Sequence, residues 1–216
     1  RAARGLDAVE AGEGEVPPRA VGADDRKLVG ALGLGLAVIR HHLPPRRPIA
    51  LPDGEGVRLV VLEGTQRTMP TAVFYAVEGL APHEEPQRHY GRAAVAAYVD
   101  GTEGRLMRSM KSILGSSLAT QSTEVGAGRQ VRYLDVVGAY LRHLRGMAEA
   151  EAGQALTRVV LGRPVFFVDD DPARDAAAQA ALADAAQSVG FREVRFQFEP
   201  IAAALDYERG IDREQL

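Results

Sequence analysis

The stretch that most constrains the fold runs from Val159 to Phe198. Two apolar runs, Val159-Val-Leu161 and the alternating Val194, Phe196 and Phe198, flank an alanine-rich segment long enough for a five-turn helix. A helix of that length between two strands carries the chain back along the sheet, so the strands are predicted to be parallel and the fold class α/β. Asp170 or Asp171 can cap the helix, with Pro172 in its first turn, where a missing amide hydrogen costs nothing; the helix is predicted to run to about Gly190. The second strand ends on Glu199-Pro200. Proline favours the first helical turn, which puts Glu199 at or near an N-cap, where the exposed amides favour its ionised form. A carboxylate held there can orient a water or a magnesium-bound water, and a plain helix cap has the same pattern.

The rest of the chain is read in the same way. Residues 1–27 carry scattered charge, glycine and the Pro17-Pro18 pair without an apolar period, the pattern of a poorly ordered leader. Three prolines in Arg40-His-His-Leu-Pro-Pro-Arg-Arg-Pro48 exclude a regular helix or central strand, which predicts a loop or linker. Residues 57–62 and 71–77 read as two strands of a hairpin bracketing a turn at Glu63-Gly64. Helical spacing is predicted over 91–98 and again over 103–114, the second through Leu106, Met107, Met110, Ile113 and Leu114 with Gly115 as C-cap. Gly126-Ala-Gly128 marks a loop, and Leu134, Val137, Leu141, Leu144 and Ala148 form the apolar stripe of a helix stopping before Gly153. The expected organisation is a poorly ordered or aberrant leader over 1–56, a small α/β subdomain over 57–125 and a core α/β subdomain over 126–216.

Composition removes several function classes. With 216 residues, 46% of them hydrophobic, the chain can bury a real core as one large domain or two small ones. A net charge of -3 leaves no basic excess for a phosphate backbone or an anionic membrane surface, so neither nucleic acid nor membrane is an expected partner. No cysteine occurs, which excludes disulfides, thiolate metal sites and cysteine nucleophiles and fits a reducing cytoplasm. The apolar run over 28–39 is too short and glycine-rich to span a bilayer, so a soluble cytoplasmic protein is expected. The first residue is arginine, which is consistent with a trimmed or misassigned start.

Two further motifs bear candidate chemistry. In Val165-Phe-Phe-Val-Asp-Asp-Asp-Pro172, apolar residues lead to adjacent carboxylates, which at the C-terminal end of a strand can hold magnesium, as in receiver domains of response regulators. Nothing after Asp171 supplies that fold's phospho-acceptor strand or its lysine, and helix capping by Asp170 or Asp171 accounts for the pattern more simply. In Arg105-Leu-Met-Arg-Ser-Met-Lys-Ser-Ile-Leu-Gly115, the lysine is one of only two in a chain otherwise rich in arginine. A compact ammonium can sit beside a phosphate oxygen or an attacking water where a guanidinium fork is too broad. A solvated surface charge is the plainer alternative.

Taken in order, the motifs resemble the nucleotide-binding domain of the heat-shock protein 70 family (DnaK-like), within the actin-like ATPase superfamily, and especially its divergent bacterial YegD-type members. The resemblance covers about residues 57–210. Arg67-Thr-Met-Pro-Thr-Ala-Val-Phe74 resembles the family's Arg-Thr-Thr-Pro-Ser strand entry, Tyr90-Gly-Arg-Ala-Ala94 its Gly-x-x-Ala-Ala segment, and Met110-Lys-Ser-Ile-Leu-Gly115 its Lys-Arg-Leu-Ile-Gly motif. Val160-Leu-Gly-Arg-Pro-Val-Phe-Phe167 resembles the strand ending in Val-Pro-Ala-Tyr-Phe, with Gly-Arg-Pro typical of the YegD-like branch. Phe198-Glu-Pro-Ile-Ala-Ala-Ala-Leu-Asp-Tyr207 resembles Asn-Glu-Pro-Thr-Ala-Ala-Ala-Leu-Ala-Tyr. The ordered set is far more specific than any one motif.

The resemblance implies the first lobe of an actin-like (ribonuclease H-like) ATPase domain, ATP and magnesium as cofactors, and unfolded clients and co-chaperones as partners. It implies that Lys111 is the catalytic lysine, that Glu199 acts on the water and magnesium around the γ-phosphate, and that Pro164 links nucleotide state to lobe rotation. Arg174 corresponds to the arginine that partners this proline, with two extra residues between them here. Positioned charge of this kind is what phosphoryl transfer requires. The family's first phosphate loop, Asp-x-Gly-Thr-Thr-Asn-Ser, is replaced before Ile49 by residues 33–48, which is the pattern a local reading-frame error would leave. The resemblance stops at about residue 210, before the point at which the family has its second phosphate loop, adenosine motif and second lobe. The 216 residues alone are therefore expected to be a fragment with little or no ATPase activity. The competing class is a non-enzymatic protein-binding module in which Lys111 and Glu199 are inherited but idle.

Overall fold

The computed structural model describes residues 36–39, 46–54, 56–81, 84–108, 110–126 and 128–210. The expected leader over 1–27 and the segment from Arg40 to Pro45 lie outside the described residues. The central sheet takes β1 (Leu36–Ile39), β3 (Ile49–Asp53) and β4 (Gly56–Leu59) from early in the chain and β11 (Arg158–Arg163) and β12 (Glu193–Phe198) from late in it. Its strand order is β12-β11-β1-β3-β4. The two late strands run parallel to each other and to β1, whereas β3 is antiparallel to both β1 and β4.

The mixed α/β class expected from the sequence is the one observed, and its late half follows the local code closely. The crossover helix α4 (Pro172–Ser188) is N-capped by Asp171, whose side chain accepts from the Arg174 amide, with Pro172 in the first turn. It is preceded by α3 (Tyr133–Ala152), which ends at Gly153 in the left-handed region, φ 67°, a conformation glycine adopts at low cost. Val137, Leu141, Leu144 and Ala148 of α3 are buried as their spacing predicts. They meet Ala178, Leu182 and Ala186 of α4, Ile49 and Leu51 of β3, and Val159 and Leu161 of β11 in one apolar cluster.

The early half departs from sequence expectation at four points. The stretch 1–56, expected to be a leader, contributes β1 and β3 to the central sheet, and Ile49, Ala50 and Leu51 are buried. The boundary drawn at residue 57 therefore cuts a hairpin: β4 pairs with β3 across the Asp53-Gly54 turn, where Gly54 takes φ 56°. The hairpin expected between 57–62 and 71–77 does not form. Instead β6 (Ala72–Ala76) pairs with β7 (Gln87–Tyr90) and β8 (Gly104–Arg108) in a separate three-stranded sheet. Within the proline-rich segment, β2 (Arg46–Arg47) makes a two-residue pairing with β5 (Met69–Pro70), short enough to stop before Pro48.

The helix expected over 103–114 is the fourth departure, because its first half is β8 and only α2 (Met110–Leu114) is helical. Leu106 packs with Phe74 and Ala94 of α1 (Gly91–Val99), while its neighbour Met107 enters the main core. Consecutive residues on opposite faces are the signature of a strand, and pairing along β6 overrides the local helical spacing. Gly104 allows this approach, since a β-carbon there would lie 2.0 Å from the Tyr75 carbonyl oxygen. The loop expected at 126–128 joins β9 (Ser122–Gly126) to β10 (Arg129–Arg132), so the boundary drawn at 126 also falls within a hairpin.

Candidate functional site

The parallel pair β11–β12 sets the geometry of the site. Its last paired residues are Arg163 and Phe198, so Pro164 and Glu199 are the next residues on neighbouring strands and leave the same edge of the sheet together. Glu199 is also the first residue of α5 (Glu199–Gly210), with Pro200 in the first turn, as the sequence predicts. A carboxylate at that position lies where the helix dipole favours negative charge.

Lys111 sits on α2, one turn before Gly115. That turn docks against the segment following Pro164: a β-carbon on Gly115 would fall 2.4 Å from the Phe167 carbonyl oxygen. Met110 and Leu114 of α2, Phe167, Gly162 and Leu182 share the walls of a small pocket of about 30 Å³. Arg174 donates to the Gly115 carbonyl at 3.0 Å and lies 3.9 Å from the Asp171 carboxylate. The fold thus joins the Lys111 helix, the Pro164 segment and the first turn of α4, while Glu199 leaves the strand beside Pro164. The observed bonds of Arg174 run to Gly115 and Asp171.

The aspartates at 169–171 are not delivered by a strand. β11 ends at Arg163, and residues 164–171 form an irregular connection in which Asp170 takes φ 57° and Asp171 caps α4. This geometry removes the basis for the receiver-type magnesium cluster. Among the described residues no group of three or more His, Asp or Glu side chains is gathered to hold a metal ion. Glu199 contributes a single carboxylate, at the first residue of α5.

Sequence reasoning missed the residue at the centre of this region. Arg163 is 7% exposed, and its guanidinium donates to the carbonyls of Pro164 and Val165, at 3.0 and 3.1 Å, and to Asp175 Oδ2 at 2.7 Å. A fourth bond reaches Gln179 of the same helix. The other Asp175 oxygen accepts the Phe167 amide at 2.6 Å. Desolvation raises the pKa of this carboxyl, but the bonds from Arg163 and the Phe167 amide and the guanidinium charge outweigh it and hold it below the ordinary carboxylate value. The available signal was an arginine ending an apolar strand, with Asp175 and Gln179 four residues apart on the returning helix.

The family described as Hsp70 protein matches residues 87–215, more than half of the sequence. The chain belongs to the Hsp70 family. It is 29% identical over 161 residues to the chaperone protein DnaK of Mycoplasmoides gallisepticum, covering 74% of this chain and 24% of that protein. It is 30% identical over 162 residues to the DnaK of Mycoplasma mycoides subsp. mycoides SC, again covering 74% of this chain and 24% of the relative. It is 29% identical over 186 residues to a chaperone protein HscA homolog of Shewanella amazonensis, covering 77% and 27%. The chain spans about a quarter of the length of these curated relatives. Among the described residues no helix is long and apolar enough to cross a membrane.

Proposed function

We propose that these residues form the first lobe of an Hsp70-type, actin-like nucleotide-binding domain of the YegD-like branch, working in a cytoplasmic chaperone that uses magnesium-ATP to fold or remodel client proteins with co-chaperones. The observation that carries this reading is the joint departure of Pro164 and Glu199 from neighbouring parallel strands, with the Lys111 helix docked on the Pro164 segment. In this reading Lys111 places a point charge near the terminal phosphate. Glu199 holds the water or magnesium-bound water there, and Pro164 and Arg174 relay the state of the site to the rest of the lobe. Magnesium-ATP supplies the phosphoryl group and its electrophilic phosphorus when bound; this chain's residues contribute charge and position.

The 216-residue chain alone is expected to bind nucleotide weakly, because no Asp-x-Gly-Thr-Thr-Asn-Ser loop precedes Ile49 to cradle the phosphates. The test is titration of the chain with magnesium-ATP, followed by calorimetry and by amide shifts. Weak saturable shifts are expected around Lys111, Val165 and Glu199, and they should vanish in Lys111→Ala. Micromolar affinity would contradict the predicted weakness, and shifts clustered elsewhere would overturn the site.

One observation favours a second reading, a protein-binding module without nucleotide chemistry: Val165, Phe166 and Phe198 are exposed beside the same strand ends. In that case Lys111→Ala and Glu199→Ala would leave partner capture intact.

A further inference from the structure

We propose that Arg163 is a positioning residue that sets where Pro164 and Glu199 emerge from the sheet, with Asp175 and Gln179 of α4 holding its guanidinium in place. The inference deepens the reading of Pro164 and Glu199 as the strand ends that face nucleotide, and rests on it.

Arginine is the common cation of this chain, so its presence at 163 says little; its surroundings say more. Burial leaves the guanidinium donors dependent on protein acceptors, and four are supplied from two separate elements: the carbonyls of Pro164 and Val165, and the side chains of Asp175 and Gln179. Holding two successive carbonyls fixes the direction in which the chain leaves β11. The same guanidinium lies over the rings of Phe167 and Phe198, at 5.0 and 5.2 Å from their centroids. Phe198 is the strand partner of Arg163 and the residue immediately before Glu199. Arg163 therefore bonds to one strand end and stacks on the other, and α4 anchors it between them.

Net stabilisation is a poor explanation for such an arrangement, because a buried ion pair recovers little beyond its desolvation cost. Its distinctive consequence is geometric. A lysine at this position retains the charge, but its ammonium has three donors in place of five and no planar face to stack on two rings, so it cannot serve all four acceptors.

The test is amide hydrogen exchange on the whole 216-residue chain, without nucleotide, for Arg163→Lys, Asp175→Asn and Gln179→Ala. The first two are expected to speed exchange about tenfold at Phe167 and also at Ala203 in α5, while Leu141 and Leu144 of α3 keep their protection. A rise confined to 164–168 would overturn the proposal, as would an equal rise throughout α3 or no rise at all. Should the first two variants fail to fold, Gln179→Ala, which removes one acceptor, is expected to give the same pattern at roughly threefold; an unchanged Ala203 would then refute the idea. Since nucleotide is left out, failure to bind magnesium-ATP counts against the functional reading and leaves this result standing.

Discussion

Replacing Gly115 by alanine sets a methyl group against the backbone that follows Pro164. The new carbon would lie 2.4 Å from the Phe167 carbonyl oxygen and 3.1 Å from both the Phe167 carbonyl carbon and Val168 Cγ2. The nearest obstacles are backbone atoms, which no rotamer change can move aside. They are also tethered, because the Phe167 amide donates to Asp175. Relief requires shifting α2 or the 164–168 segment, an overpacking cost of about 1–3 kcal/mol. The matched control is Gly146→Ala, within α3, where a β-carbon meets nothing within 4 Å; it should stabilise by roughly 0.5–1 kcal/mol through helix propensity. Urea unfolding followed by far-ultraviolet circular dichroism reads both variants. With a slope of about 2 kcal/mol per molar urea, the Gly115→Ala midpoint should fall by roughly 0.5–1.5 M at unchanged slope, while that of Gly146→Ala rises. An unchanged or raised midpoint for Gly115→Ala would refute the docking of the Lys111 helix on the Phe167 segment.

Asp175→Ala, which strands the buried Arg163 guanidinium, should cost about 3–5 kcal/mol in the same assay, and adding Arg163→Met should recover at least about 1 kcal/mol of that loss. Asp171→Ala removes the N-cap of α4 and should cost about 1 kcal/mol by thermal or urea melting. His143 stacks on Tyr90 with ring centroids 4.0 Å apart; burial lowers its pKa, opposed by the charge of Glu63, which is itself paired with Arg92. The unfolded chain therefore takes up this proton more readily. The stability linked to His143 should be complete above about pH 6.5 and decline as pH falls through that value toward the lower folded pKa, a dependence that His143→Gln should abolish in melts at several pH values.

The candidate site was legible in pieces. Pro164, Glu199 and the Lys111 motif could be read from sequence because each sits in a short ordered string. Arg163 looked like one arginine among many, and only its seat among Pro164, Val165, Asp175 and Gln179 distinguishes it. Gly115 could be read as a helix stop, whereas its contact with Phe167, more than fifty residues along the chain, could not.

By itself the sequence determined the βαβ unit of the late half, the caps of α4 and α3, and the emergence of Glu199 at a helix start. Those features depend on local rules: apolar periodicity, an aspartate before a proline, a glycine after the last helical turn. Only the tertiary structure decided that residues 36–39 and 49–53 enter the central sheet, that β4 pairs backward with β3, and that 104–108 is strand despite its helical spacing. In each case the outcome depends on which distant strand offers its hydrogen bonds and which face that pairing buries, and no short window of sequence contains that choice.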